Sequence, residues 1–153
     1  MKPLIVLIFG FLITLAAIKI LKQEYKLNLA ARIAMTLMLI FTAIGHFVFT
    51  KGMAMMIPKF IPFKISLIYI TGIFEIITAI GLLFENLKTT FGWALIIFLV
   101  LMLTANIYAA INNINYQEGT YNGSGISYLW FRIPLQLLFI AWTYFSCFKK
   151  LYI

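Results

Sequence analysis

Five side chains able to bind, ionise or bridge interrupt otherwise apolar stretches of this chain. His46 stands in AIGHFVFTKG, Glu75 in TGIFEIITAIG, Asn106 in LTANIYAA, and Arg132 and Gln136 in WFRIPLQLL. An imidazole can donate, accept and exchange a proton near neutrality. A carboxyl in an apolar run is costly as a bare charge, about 2.5 to 3.5 kcal/mol at a bilayer centre. Glu75 must therefore be paired, protonated or solvated. Two readings stay open for it: a structural Glu75–Arg132 pair that fixes helix register, or a ligand or proton site. His46 has three readings: a tie to a carbonyl or to Glu75, a contact to a ligand head or a proton, or a metal ligand. One histidine, no Asp and one Cys make a poor metal set, so no metal is expected. The methionines Met53, Met55 and Met56 have no His or Cys among them, and copper is not expected there either. Asn106 and Gln136 are the residue types that cross-link apolar helices by hydrogen bonds.

The elements that carry these residues are long. Five apolar runs, at about 3–20, 29–49, 65–84, 91–111 and 128–148, each approach the ~20 residues that cross ~30 Å of hydrocarbon as a helix. Alternating ~10-residue segments of a β-barrel are absent from the sequence. The expected fold is all-α, a polytopic membrane helix bundle forming one domain over 1–153. Four helices form its core, and an additional N-terminal helix packs outside. That first run has a two-residue n-region and no small-residue cleavage site before Lys22, so it reads as a retained helix rather than a signal peptide.

Rise per residue sets depth. From the boundary near Thr50, His46 lies ~5 Å deep, Arg132 ~6 Å, Asn106 ~8 Å, Gln136 ~12 Å and Glu75 ~15 Å. Four different helices thus place polar groups in the same half of the bilayer. Helical spacing adds direction. Thr71, Glu75 and Thr78 share one face, as do Arg132, Gln136 and Thr143, as do Thr42 and His46. Turning each stripe inward gives a shared polar pocket. Pro134 removes one helix hydrogen bond between Arg132 and Gln136 and is expected to free a carbonyl toward it. Tyr69, Tyr108, Tyr128 and Trp130 form an interfacial belt.

Two connections frame the pocket. Residues 50–64 are apolar but broken by Pro58 and Pro62 and punctuated by lysines, which suits an interfacial segment lying over the pocket as a lid. Residues 112–127 are rich in Asn, Gly and Ser and read as a solvated loop.

Composition agrees with a bilayer. The chain is 64% hydrophobic and 10% charged, against about a quarter charged in soluble domains. Its net charge of +8 comes from cations scattered at run ends. That is the pattern of positive-inside bias and anionic headgroups, not of a nucleic-acid-binding stripe. Lys19, Lys22, Lys26, Arg32, Lys88, Lys149 and Lys150 fall on one side, against Lys2, Lys51, Lys59, Lys64 and Arg132 on the other. The expected orientation has the N-terminus outside and the C-terminus cytoplasmic. A lone Cys147 excludes an intramolecular disulfide and a CxxC pair, and reads as a small apolar filler.

Taken in order, GHF (45–47), IPKFIPF (57–63), GIFEIITAIGLL (72–83), ANIYAA (105–110) and LWFRIPLQ (129–136) resemble the DoxX-like family of small bacterial membrane proteins, within the DoxX/MauE group. The likeness covers about residues 31–144. It implies a four-helix membrane bundle whose shared core is marked by His46, Glu75, Asn106, Arg132, Pro134 and Gln136. The family takes its name from a subunit of a thiosulfate:quinone oxidoreductase. The added first helix and the single cysteine depart from the family pattern, and the latter argues against a thiol relay.

Three functions compete. The first is a redox-associated accessory subunit of a membrane oxidoreductase in the cytoplasmic membrane, binding a quinone or similar amphiphile. The second is a non-enzymatic scaffold or assembly factor whose polar cluster only holds the bundle together. The third is a small transporter or channel acting as an oligomer.

Overall fold

The computed structural model describes residues 2–22 and 26–149. The side chain of Lys22 and all of Lys150, both counted above for orientation, lie outside the described residues. Inside hydrocarbon every backbone group must be satisfied by the chain itself, and apolar runs of this length do so as helices. The elements are α1 (Lys2–Lys22), α2 (Leu27–Val48), α3 (Thr50–Met55), α4 (Lys64–Gly81), α5 (Lys88–Ile111) and α6 (Ser127–Phe148). Among the described residues there is no strand, only an isolated bridge between Asn115 and Thr120.

All but α3 are long and apolar enough to cross a membrane. The protein is an all-α polytopic membrane bundle of four core helices plus one N-terminal helix. Its outer surface is apolar where that of a soluble domain is polar, and several polar side chains lie inside. Large apolar side chains such as Ile13, Ile70, Ile97 and Leu137 face outward, while Thr36, Glu75, Asn106, Gln136 and Thr143 are buried. An apolar surface of this extent is stable only against lipid.

Helix α2 is the hub, packing on α1, α4 and α6, while α5 packs on α6 and α4. Met35, Met38, Leu39, Leu82 and Leu95 fill the centre. Polar ties on α2 include Thr36, which donates to the Ala79 carbonyl at 2.9 Å, and Ala31, whose carbonyl accepts from Trp142 Nε1 at 3.0 Å. As expected, α1 sits outside. It leans on α2 and inserts Leu7 into the core, and Phe11 meets Trp142 edge-on at 5.2 Å.

Three expectations are corrected. The third span ends at Gly81, not near Phe84, because backbone bonds tighten to i→i−3 at Leu83 and Phe84 and the chain turns. Pro134 and Trp130 both lie on the exposed side of α6, so the carbonyl that loses its partner does not face the core. The loop over 112–127 is solvent-facing from Gln117 onward, but its start is folded. Positive φ at Asn113, Gly119 and Gly125 and bonds from Gly119 and Gly123 curl it back over the end of the bundle. There the Tyr116 carbonyl lies directly against Gly52 of α3, in space any Cβ would occupy.

At the opposite end Arg32 is more than an end-of-run cation. It is buried, with only 4% of its surface exposed, and its guanidinium donates to Glu85 Oε2 at 2.6 Å. Lys88 also donates to Glu85. These bonds, that from Lys88 first, hold the Glu85 carboxyl below its ordinary value of 4.5. A depressed folded-state pKa gives stability that is present above the unfolded value and lost as pH falls through the folded one. This carboxyl is therefore expected to contribute a loss of thermal stability in detergent as pH falls below about 4.5. In Glu85→Gln that acid-side loss is expected to shrink; an unchanged acid limb refutes the assignment.

Candidate functional site

The local geometry begins at Gly72. A Cβ at that position would stand 2.9 Å from the Cβ of His46. The bare glycine lets α4 approach α2 closely one turn from Glu75, so Glu75 meets α2 rather than α6. Thr42, one turn before His46, donates to Glu75 Oε1 at 2.6 Å. His46 Nε2 lies 3.4 Å from Glu75 Oε2. This is close enough for charges to interact but not aligned as a hydrogen bond, and Oε2 has no hydrogen-bond partner among the described residues.

The other ring nitrogen decides the tautomer. His46 Nδ1 lies 3.2 Å from the Ile68 carbonyl and 3.1 Å from Thr71 Oγ1. A carbonyl only accepts, so it takes the Nδ1 hydrogen. The Thr71 hydroxyl has its own acceptors in the Leu67 and Ile68 carbonyls. Nε2 of a neutral ring then presents a lone pair to a carboxyl oxygen. A proton on either member would remove the repulsion of these two lone pairs.

This pair lines a cavity of about 300 Å3. Asn106, Arg132, Gln136 and Thr71 also line it, so side chains from α2, α4, α5 and α6 meet there as the depth count expects. The floor is apolar, with Leu39, Phe98 and Phe139, and Met38, Met53, Met56 and Met102 add adaptable thioether walls. No three His, Cys, Asp or Glu side chains come together among the described residues.

Several sequence expectations need revision. Arg132 makes no contact ion pair or hydrogen bond with Glu75 or with another described residue, since α4 is drawn toward α2, although its charge still acts on the Glu75 carboxyl across the cavity. Asn106 does not bridge helices, since its amide donates back to Met102 of its own helix at 2.9 Å. Gln136 does bridge, donating to the Leu99 carbonyl of α5, while its buried Oε1 has no hydrogen-bond partner among the described residues. Thr78 is fully buried, but in the core and away from the cavity. Tyr108 lines a second cavity instead, and Pro58, Pro62 and Pro134 line neither.

Thr42, placed with His46 on the inward face by its i, i+4 spacing, is the direct partner of Glu75, a pairing the sequence reading did not make. Lys2 of α1 and Tyr116 and Gln117 of the folded loop reach the cavity rim, which no local pattern announces.

Gly72→Ala tests the close approach. The added methyl is expected to push His46 aside at a cost of about 1–3 kcal/mol, as overpacking does. Thermal unfolding reads the loss, and the NMR titration of the single histidine reads its separation from Glu75. An unshifted titration contradicts the contact.

No curated protein matches the chain, and no solved structure matches it. A family model described as a domain of unknown function (DUF8561) matches residues 35–147. The stretch runs from the middle of α2 to the end of α6 and contains every residue of the polar cavity wall except Lys2, while α1 lies before it. The chain belongs to the DUF8561 family.

Proposed function

We propose that this chain is a redox-associated membrane protein of DoxX-like type that holds the head of a quinone or similar amphiphile in the His46–Glu75 cavity. One observation carries the reading. Among the described residues, a buried Glu75 oxygen beside a histidine makes no hydrogen bond at the cavity, and the Arg132 guanidinium that lines the same space makes no hydrogen bond or contact ion pair. Unsatisfied buried polar atoms are costly, and a ligand that satisfies them binds well.

A quinone head fits these needs. Its carbonyl oxygen accepts from Arg132, and its reduced hydroxyls donate to Glu75 Oε2 and Gln136 Oε1. The His46–Glu75 proton is placed for transfer to an oxygen in the cavity. Reduction needs two electrons and two protons; the electrons come from a partner membrane oxidoreductase, and this chain binds the head and relays protons. At about 300 Å3 the cavity is at the small end of ligand sites, suited to one ring with its tail lying between helices. The cavity end faces outward and the Arg32 end faces the cytoplasm, in the cytoplasmic membrane, with the bilayer as the constant partner.

A scaffold reading has its own observation. His46 to Ile68, Thr36 to Ala79 and Gln136 to Leu99 all tie helices with no ligand required. Ligand binding separates the two. Protein purified in native lipid is expected to yield a quinone on solvent extraction, and a short-chain benzoquinone is expected to quench its tryptophan fluorescence saturably. Absence of both results leaves the scaffold reading.

A further inference from the structure

A second cavity, of about 690 Å3, opens beside the first at the same end of the bundle. Three lysines line it: Lys51 of α3, Lys59 of the connecting segment and Lys64 at the start of α4. Tyr108, Asn112 and Tyr121 add polar groups from α5 and the folded loop. Lys64 Nζ donates to the Ile57 carbonyl at 2.8 Å, whereas Lys51 and Lys59 make no hydrogen bond or ion pair with a described residue. No carboxylate lines the cavity. Concentrated positive charge with hydroxyl and amide donors is the chemistry of a phosphoryl site.

The surroundings specify which phosphoryl compound. Phe60 and Phe63, 84% and 83% exposed, flank the lysines. Phe63 holds a left-handed backbone (φ 53°) directly after Pro62, a conformation costly for a bulky residue. That turn projects its ring outward at the mouth of the lysine cluster. Exposed phenylalanines beside lysines, at the end of membrane-crossing helices, are what a bilayer interface takes up.

We propose that this cavity binds the phosphoryl headgroup of an anionic phospholipid, with Phe60 and Phe63 among its acyl chains. The site is independent of whatever fills the first cavity, but the two share a wall. Within α3, Met53 lines the first cavity while Lys51, Ala54 and Met55 line the second. A bound headgroup holds α3 in place over His46.

The test is native mass spectrometry of the full chain released from nanodiscs of phosphatidylcholine mixed with phosphatidylglycerol. The wild type is expected to retain phosphatidylglycerol selectively. In Lys51→Gln/Lys59→Gln retention is expected to fall about tenfold or more. A charge-matched control at the opposite end, Lys88→Gln/Lys149→Gln, is expected to retain it, and Lys51→Arg/Lys59→Arg keeps it through charge. Thermal unfolding in pure phosphatidylcholine checks that the glutamine variant is folded; if it is not, the wild type against the arginine pair and the control pair decides. Added inorganic phosphate separates the sources: a lipid site keeps its phosphatidylglycerol, whereas displacement by phosphate alone refutes a headgroup site. Equal retention by the glutamine and control pairs, or no preference for phosphatidylglycerol in the wild type, overturns the proposal.

Discussion

Glu75→Gln is expected to leave the bundle folded while quinone-linked turnover in membranes falls about a hundredfold or more, the usual worth of a positioned proton-transfer group. The local chemistry explains the first half. A glutamine side chain has the shape of the acid. Its oxygen still accepts from Thr42, whose hydroxyl is 2.6 Å from Glu75 Oε1. Its amide nitrogen would stand where Oε2 does, 3.4 Å from His46 Nε2. The substitution therefore keeps the shape and the Thr42 contact while removing the ionisable group. The second half follows because an amide carries no transferable proton at neutral pH. The decisive comparison is turnover against melting temperature in the same membranes. If activity simply tracks stability, the polar cluster is structural and the quinone reading falls.

Arg132→Gln makes the complementary case. Arg132 lines the cavity without an ion pair or hydrogen bond to any described residue. Its removal breaks no hydrogen bond or contact ion pair with a described residue, so stability is expected to stay within about 0.5 kcal/mol. Binding of a short-chain benzoquinone is a different matter. A hydrogen bond from a charged donor contributes about 1.5–3 kcal/mol, so affinity is expected to fall about tenfold to a hundredfold. Arg132→Lys restores part of it, supplying the charge but not the planar fork. Fluorescence titration and thermal unfolding on one sample decide. A less stable protein with unchanged affinity would assign Arg132 to architecture instead.

The helices and the shared cavity were legible in the sequence for one reason. In hydrocarbon, apolar length and polar depth follow directly from a fixed rise per residue. Counting from one boundary brought His46, Glu75, Asn106, Arg132 and Gln136 to a common level, and all five line one cavity. Pairing was not legible. Depth says nothing about azimuth between helices, and Gly72 sets that by admitting α2 against α4. Glu75 consequently meets His46 and Thr42, while Arg132 lines the same cavity without a contact ion pair to it. Arg32 escaped notice for a related reason: a cation at a run end reads as solvated, and only the turn after α4 brings Glu85 to it. Asn106 shows a further limit. A side-chain amide in a helix can satisfy itself on the preceding turn, as it does on Met102, and spacing cannot separate that from a bridge.

The contact of Gly52 with the Tyr116 carbonyl reaches beyond packing. Position 52 sits between Lys51, which serves one cavity, and Met53, which serves the other. Any side chain there would lift the helix from the loop, so a substitution at this one position is expected to disturb the walls of both cavities at once, whatever each of them holds.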